Sequence, residues 1–302
     1  MISADAAETS RPAEGQGAAL AMLFLGAAII GLAPILVRLS DAGPAATGFW
    51  RLAFAVPLLA VMSLRAPQGD RFLRPPRAAL AAGVFFTLDL AFWHYGIAHT
   101  TVANATVLTN LTPLVVMLFA WIAFAERPRA AFAAAVLMAI AGAALMAFAK
   151  GGDGRQSLLG DALSLTTALW YAFYFLAITV ARRTSTASRV MFWSGMVGMP
   201  LLLLAALAMG EEILPLTRGG WLACIGLGLM HVGGQGAIAW SLGRLPTATA
   251  SVTVLVQPVV AAILGWLLFK EALGPWQALG GAVTLGGVVL AQIAGARRKA
   301  QA

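Results

Sequence analysis

The chain has 302 residues, of which 60% are hydrophobic and only 11% charged, with a net charge of +8. A soluble domain carries roughly 25% charged residues, so a water-soluble fold of this composition would have nothing to cover its surface with. The basic excess does not point to nucleic acid, because Lys and Arg fall between apolar runs, as in loops that face anionic lipid.

Residues 1–16 (MISADAAETSRPAEGQ) are polar, mixed in charge and aperiodic, and read as a disordered N-terminal tail. They lack the basic n-region of a signal peptide, and the run that follows is long enough to span, so no cleavage is expected. Apolar runs of about 20 residues then recur, the length that crosses ~30 Å of hydrocarbon at 1.5 Å per residue. Lipid forces backbone polar groups to be satisfied within the segment, so each run must be a helix. Ten spans are expected, at about 17–38, 45–64, 78–97, 101–123, 130–149, 158–180, 190–209, 219–241, 247–269 and 275–295. Polar or Pro/Gly punctuation separates them, and a basic tail, 296–302, closes the chain.

Alternate loops differ in charge. With the N-terminus inside, the inner segments hold Arg11, Arg65, Arg71, Arg74, Arg77, Arg127, Arg129, Arg182, Arg183, Arg189, Arg244, Arg297, Arg298 and Lys299, fourteen in all. The outer loops hold five: Arg38, Lys150, Arg155, Arg218 and Lys270. That bias places both termini in the cytoplasm. The remaining basic residue, Arg51, lies within the second span.

The chain repeats itself at an offset of 145 residues without a gap. Pro113, Trp121, Phe124 and Glu126 fall on Pro258, Trp266, Phe269 and Glu271, with Arg38 on Arg183 and Gly142 on Gly287. The repeats are expected at 17–149 and 158–295, joined by a linker at 150–157. Each holds an odd number of spans, so the second is inserted upside down relative to the first. Inverted repeats let each half adopt the conformation its partner holds, which favours an alternating-access carrier over a receptor, a membrane enzyme or an anchor. They place the solute between the halves, near mid-bilayer.

The stretch WHYGIAHTTVANATVLTNLTPLVVMLFAWIAFAERP, echoed by AWSLGRLPTATASVTVLVQPVVAAILGWLLFKEALGPWQ, resembles the EamA-type members of the drug/metabolite transporter superfamily. Its markers are a small-residue turn, a helix with a central Pro, and a Glu just after that helix, once per half. The resemblance implies an all-α membrane protein, with ten transmembrane helices, as two inverted five-helix repeats, forming a basket around a central cavity. It further implies an exporter of amino acids or related metabolites, similar to the YddG-like branch, seated in a bacterial inner membrane as a monomer or homodimer. Small multidrug-resistance proteins use a buried Glu in the first helix, which this chain lacks. Only Arg51 is available within a span to compensate a phosphate, so nucleotide sugars are disfavoured.

Polar groups inside the bilayer cost about 2.5–3.5 kcal/mol each when ionisable, so those that persist are informative. Asp89 lies mid-span with Trp93 one turn on; it is placed to bind a solute amine, to accept a proton, to bond another helix or to pair with Arg51. His94 nears the outer mouth, where it either titrates near neutral pH or sits hydrogen-bonded in an aromatic belt. His231 and Gln235 share a stripe near mid-bilayer, flanked by Gly233, Gly234 and Gly236, which allow close backbone approach. Asn104 and Asn110 precede Pro113, and Gln257 precedes Pro258; each proline frees a carbonyl one turn earlier and is a hinge candidate. Trp170, Tyr171 and Tyr174 lie mid-span, suiting an apolar or aromatic side chain or a cation, or plain packing. Arg51 is expected to snorkel to the headgroups, with binding of a solute carboxylate as the other reading. Glu126 and Glu271 read as helix caps or loop ion pairs.

The single cysteine, Cys224, permits no intrachain disulfide and no cysteine-based metal site, and no metal or other cofactor is expected. The three histidines, His94, His99 and His231, form no metal-ligand spacing, and no nucleophile–base motif is present, so no enzyme is expected. The expected partners are a small-molecule substrate and membrane lipid.

Overall fold

The computed structural model describes residues 11–66, 74–99, 108–124, 128–149, 158–269 and 274–299. In chain order the helices are α1 (Arg11–Ile30), α2 (Ala33–Leu39), α3 (Pro44–Leu64), α4 (Arg77–His99), α5 (Thr112–Phe124), α6 (Ala130–Ala149) and α7 (Leu158–Ala181). They continue with α8 (Ala187–Ala208), α9 (Arg218–Met230), a π-helical turn (His231–Gln235), α10 (Gly236–Leu242), α11 (Thr247–Thr253), α12 (Val256–Phe269) and α13 (Pro275–Lys299). All regular structure among the described residues is helical. Among the described residues, eight helices are long and apolar enough to cross a membrane, some built from two consecutive elements. The other two expected spans, 101–123 and 130–149, fall on α5 and α6, whose described apolar stretches are shorter.

Two boundaries differ from expectation. Helix α1 begins at Arg11, six residues ahead of the expected first span, and α13 runs to Lys299 rather than ending at 295. Both extensions are polar and continue a helix whose backbone bonding is already established, so each added residue forms its bond without a new nucleation step.

Small residues set how the helices meet. Helices α3 and α8 run antiparallel, with Gly48 against Leu202, Gly198 against Leu52 and Gly195 against Val56. Helix α4 lies along α7, with Gly96 against Ser164 and Phe86 against Tyr174. Helix α1 lies along the π-turn and α10, with Gly26 against the Gly234 carbonyl and the Ser241 hydroxyl donating to the Ala19 carbonyl at 2.9 Å. Helix α6 lies along α13, with Gly142 against Gly280 and Thr284 and Gly287 against Ala139. Without a hydrophobic drive between helices in lipid, such close approach is what gives them contact.

One core is built from Leu23, Leu52, Phe86, Tyr174, Phe175 and Leu202, and a second from Phe132, Val136, Ile140, Leu255 and Val288. The outer surface carries exposed Ile122, Leu158, Leu222 and Leu267. An exposed apolar surface on this scale suits hydrocarbon as its solvent.

Candidate solute-binding site

Four transmembrane segments bring polar side chains to one buried place. Arg51 comes from α3, Asp89 from α4, Tyr171 and Tyr174 from α7, and His231 and Gln235 from the π-turn. Gln257 joins them from the start of α12; its side chain and that of Gln235 adjoin the Tyr171 hydroxyl, and Gln235 also reaches Tyr174. The two tyrosine rings lie parallel, with centroids 6.0 Å apart. Phe86 floors the group: its ring is 5.0 Å from Tyr174, 5.2 Å from His231 and 5.2 Å from the Arg51 guanidinium carbon.

Arg51 is the electrostatic centre. Its charge acts on Asp89, both tyrosines, His94 and His231. The expectation that it snorkels to the headgroups is wrong, for it is only 5% exposed. Helix α3 is packed between α8 and α9, so the side chain has no route to the lipid interface. Phe86 covers the face of its guanidinium, and Asp89 is near enough for the two groups to act on each other.

Among the described residues, the buried Nε of Arg51 and Nδ1 of His231 have no hydrogen-bond partner, and Nε2 of Gln235 and of Gln257 make no bond of good geometry although both carboxamides adjoin tyrosine hydroxyls. Leaving a buried polar group unsatisfied costs about 1–3 kcal/mol. Three of these four atoms are obligate donors, so the group suits a ligand that presents acceptor oxygens.

A π-turn carries His231 and Gln235. Such turns are rare and concentrate at functional sites. Of the flanking glycines, Gly234 permits close approach to Ile29 and Ile30, whereas Gly233 and Gly236 face open space.

The proline positions are alike in both halves. Pro113 deprives the Thr109 carbonyl of its helical donor, and the Thr112 hydroxyl takes its place at 2.8 Å. Pro258 does the same to Val254, whose carbonyl accepts the Gln257 N–H at 2.9 Å. In the second half this interrupts the helix between α11 and α12, next to Gln257.

Other expected site residues lie elsewhere. Trp170 stands in an aromatic seam with Phe85, Phe92 and Phe173, where α4 meets α7. His94 is buried beside Trp93, and neither ring nitrogen has a partner. Asn110 is partly buried in the turn before α5, its Nδ2 without a partner. Asn104, Glu126, Glu271 and the 150–157 linker lie outside the described residues.

One end of the bundle is fastened by a polar clasp. Helix α8 ends in a Schellman motif: Gly210, at φ 65°, donates to the Leu207 carbonyl and Glu211 N–H to that of Ala206. Only glycine adopts that backbone without strain, and the turn aims Glu211 at the start of α3. There its carboxylate accepts the Ala46 N–H at 3.0 Å and the Tyr95 hydroxyl. It thereby caps a helix whose own N-cap, Gly43, has no side chain to offer. Gly43 N–H donates to the Glu212 carbonyl at 2.9 Å, and Trp50 Nε1 to that of Ile213 at 2.7 Å. The Asp41 carboxylate accepts the N–H groups of Leu216 and Thr217, and its bonding to Thr217 holds it below the usual carboxylate range.

Phe86 as a member of the central group and Glu211 as a clasp are not foreseen from the sequence, and for Arg51 it is the second of the two expected readings, not snorkelling, that its burial suits. For Arg51 the available signal was its place two turns inside an apolar run. For Glu211 it was a Gly–Glu pair directly after a span.

The EamA-like transporter family model matches the chain twice, over residues 17–148 and 158–292. The chain belongs to the EamA-like transporter family. It is 26% identical to an uncharacterized transporter of Archaeoglobus fulgidus, over 90% of this chain and 95% of that protein. It is also 26% identical to a probable terminal-alkyne amino-acid exporter of Streptantibioticus cattleyicolor, over 85% and 86% of the two chains. The pseudopaline exporter of Pseudomonas aeruginosa is 25% identical, over 73% and 75%. A solved crystal structure shares the fold at a TM-score of 0.79 and 19% identity, covering 93% of this chain and 99% of that one. By family, then, the protein is a membrane transporter.

Proposed function

We propose that the chain is a ten-span carrier of two inverted five-helix repeats that exports amino acids or related small zwitterions by alternating access. What carries this reading is the buried group in which Arg51 and Asp89 act on each other among unpartnered donors. A zwitterion brings a carboxylate for Arg51 and the carboxamides, and an ammonium for Asp89 and the tyrosine faces. Relatives named as exporters of a terminal-alkyne amino acid and of pseudopaline support the same class of solute.

The packing supports inversion. If the first and sixth spans are equivalent, and so on through the fifth and tenth, an axis in the membrane plane exchanges α4–α7 contacts with those of α9/α10 and α1. The same axis maps the α3–α8 and α6–α13 pairs onto themselves. All four pairs occur, and they run antiparallel. Charge bias puts both termini in the cytoplasm, so the clasp faces outward and the Arg182 end faces inward. A bacterial inner membrane is the expected site.

Reconstitution into proteoliposomes with a labelled amino-acid panel is the test. Saturable transport of at least one amino acid is expected. Flux that fails to saturate favours a channel, and transport of nucleotide sugars alone overturns the reading.

A further inference from the structure

The C-terminal end of α7 and the turn 243–245 enclose a cleft of about 170 Å³. Thr179, Arg182, Arg183, Gly243 and Arg244 line it, and no carboxylate does. Two of the guanidinium groups are held in place with no counter-anion among the described residues. Arg182 donates through Nε to the Ala239 carbonyl at 3.1 Å and through Nη1 to the Ser185 carbonyl. Its head lies on the bare backbone of Gly243, where a Cβ would stand 2.8 Å from Nη2. Arg244 donates to the Trp240 carbonyl at 3.0 Å, and its guanidinium carbon lies 3.6 Å from the Trp240 ring centroid. Thr179 and Thr247 place their hydroxyls 2.9 Å apart beside them.

Burial, and then the charge of Arg244, make the protonated state of Arg182 less favourable than in water. Guanidinium groups do not lose their proton near neutral pH, so this repulsion persists until an anion enters. Planar guanidinium forks match the oxygens of phosphate, two bonds at a time. The cleft is separate from the central group: Arg182 lies eleven residues beyond Tyr171 on the same face of α7, roughly 16 Å along the axis.

We infer that this cleft binds a phosphate-type oxyanion, supplied by an anionic phospholipid headgroup or by free phosphate. The argument does not depend on which solute the carrier moves.

Native mass spectrometry after incubation with phosphatidylglycerol or phosphatidylcholine tests the first source. Melting in inorganic phosphate against chloride of equal ionic strength tests the second. Wild type is expected to retain roughly tenfold more phosphatidylglycerol than Arg182→Gln/Arg244→Gln, or to gain a phosphate-dependent rise in melting temperature that this variant lacks. Lipid retention assigns the site to a headgroup, and a phosphate response without it assigns the site to the free ion. Should the double variant not fold, Gly243→Ala displaces the Arg182 head without removing charge, and Arg183→Gln removes an exposed arginine; weakened binding in both is expected. Arg77→Gln, exposed and outside the cleft, should bind as wild type does. The inference is overturned if wild type neither prefers phosphatidylglycerol nor responds to phosphate, or if the cleft variants bind as Arg77→Gln does.

Discussion

The Arg51 guanidinium carbon lies 5.2 Å from the centroid of the Phe86 ring, and Phe86 is one helical turn before Asp89. One face of α4 thus offers Arg51 both an aromatic cover and an ionisable carboxyl. Arg51→Gln and Asp89→Asn each remove one of two buried ionisable groups that act on each other, leaving the other without its influence. Each single variant should melt several degrees lower in detergent. Arg51→Gln/Asp89→Asn should regain most of that loss while transporting nothing. Full transport by the double variant would remove the pair from the mechanism.

Glu211 and Tyr95 should behave as a unit. Losing an N-cap costs about 1 kcal/mol. Glu211→Ala is therefore expected to lower the melting temperature by a few degrees, and Tyr95→Phe should add little once Glu211 is gone. A double-mutant cycle by thermal unfolding measures the coupling, and strict additivity would contradict the clasp geometry.

Asp41 makes one arm of the clasp sensitive to pH. Its folded pKa is lowered from 3.8 by bonding to Thr217, so the unfolded state binds the proton more readily. The stabilisation is present above 3.8 and is lost as pH falls through the lower folded value. Hydrogen exchange at Leu216 and Thr217, corrected for intrinsic rates, should quicken below that point. Asp41→Asn should abolish the pH dependence.

Pro258 keeps the helix interrupted next to Gln257. Pro258→Ala restores an amide that competes with the Gln257 N–H for the Val254 carbonyl. Proline inside a helix costs about 3 kcal/mol. The substitution should leave stability unchanged or raised, while transport slows. Unchanged transport with a continuous helix would show that the break is not a hinge.

Helices were legible wherever a run of apolar residues lacked a polar break, because lipid admits no other backbone for such runs. The equivalence of Pro113 with Pro258 and of Gly142 with Gly287 was legible from register alone. Both pairs occupy matching roles, one at a freed carbonyl and the other in the α6–α13 seam. Asp89, His231 and Gln235 stood out because ionisable and amide groups are expensive in hydrocarbon. Arg51 was misread because its fate depends on whether neighbours block the way to the interface, and α8 and α9 are distant in sequence. Trp170 was grouped with Tyr171 and Tyr174 by proximity along the chain. A helix turns each successive side chain by about 100°, so Trp170 faces away from Tyr171, while Tyr174 lies one turn further along nearly the same face and meets Phe86 rather than Phe85.

The π-turn at His231–Gln235 amounts to an α-helix carrying one surplus residue. Everything after it is rotated by about 100° relative to an uninterrupted helix. Winding the turn into a plain α-helix with every residue kept would leave His231 beside Phe86 while swinging Gln235 away from both tyrosines. A change of helical pitch, with no side chain altered, would thus detach the carboxamide from the site. The spacing between two helix turns is itself part of the recognition surface.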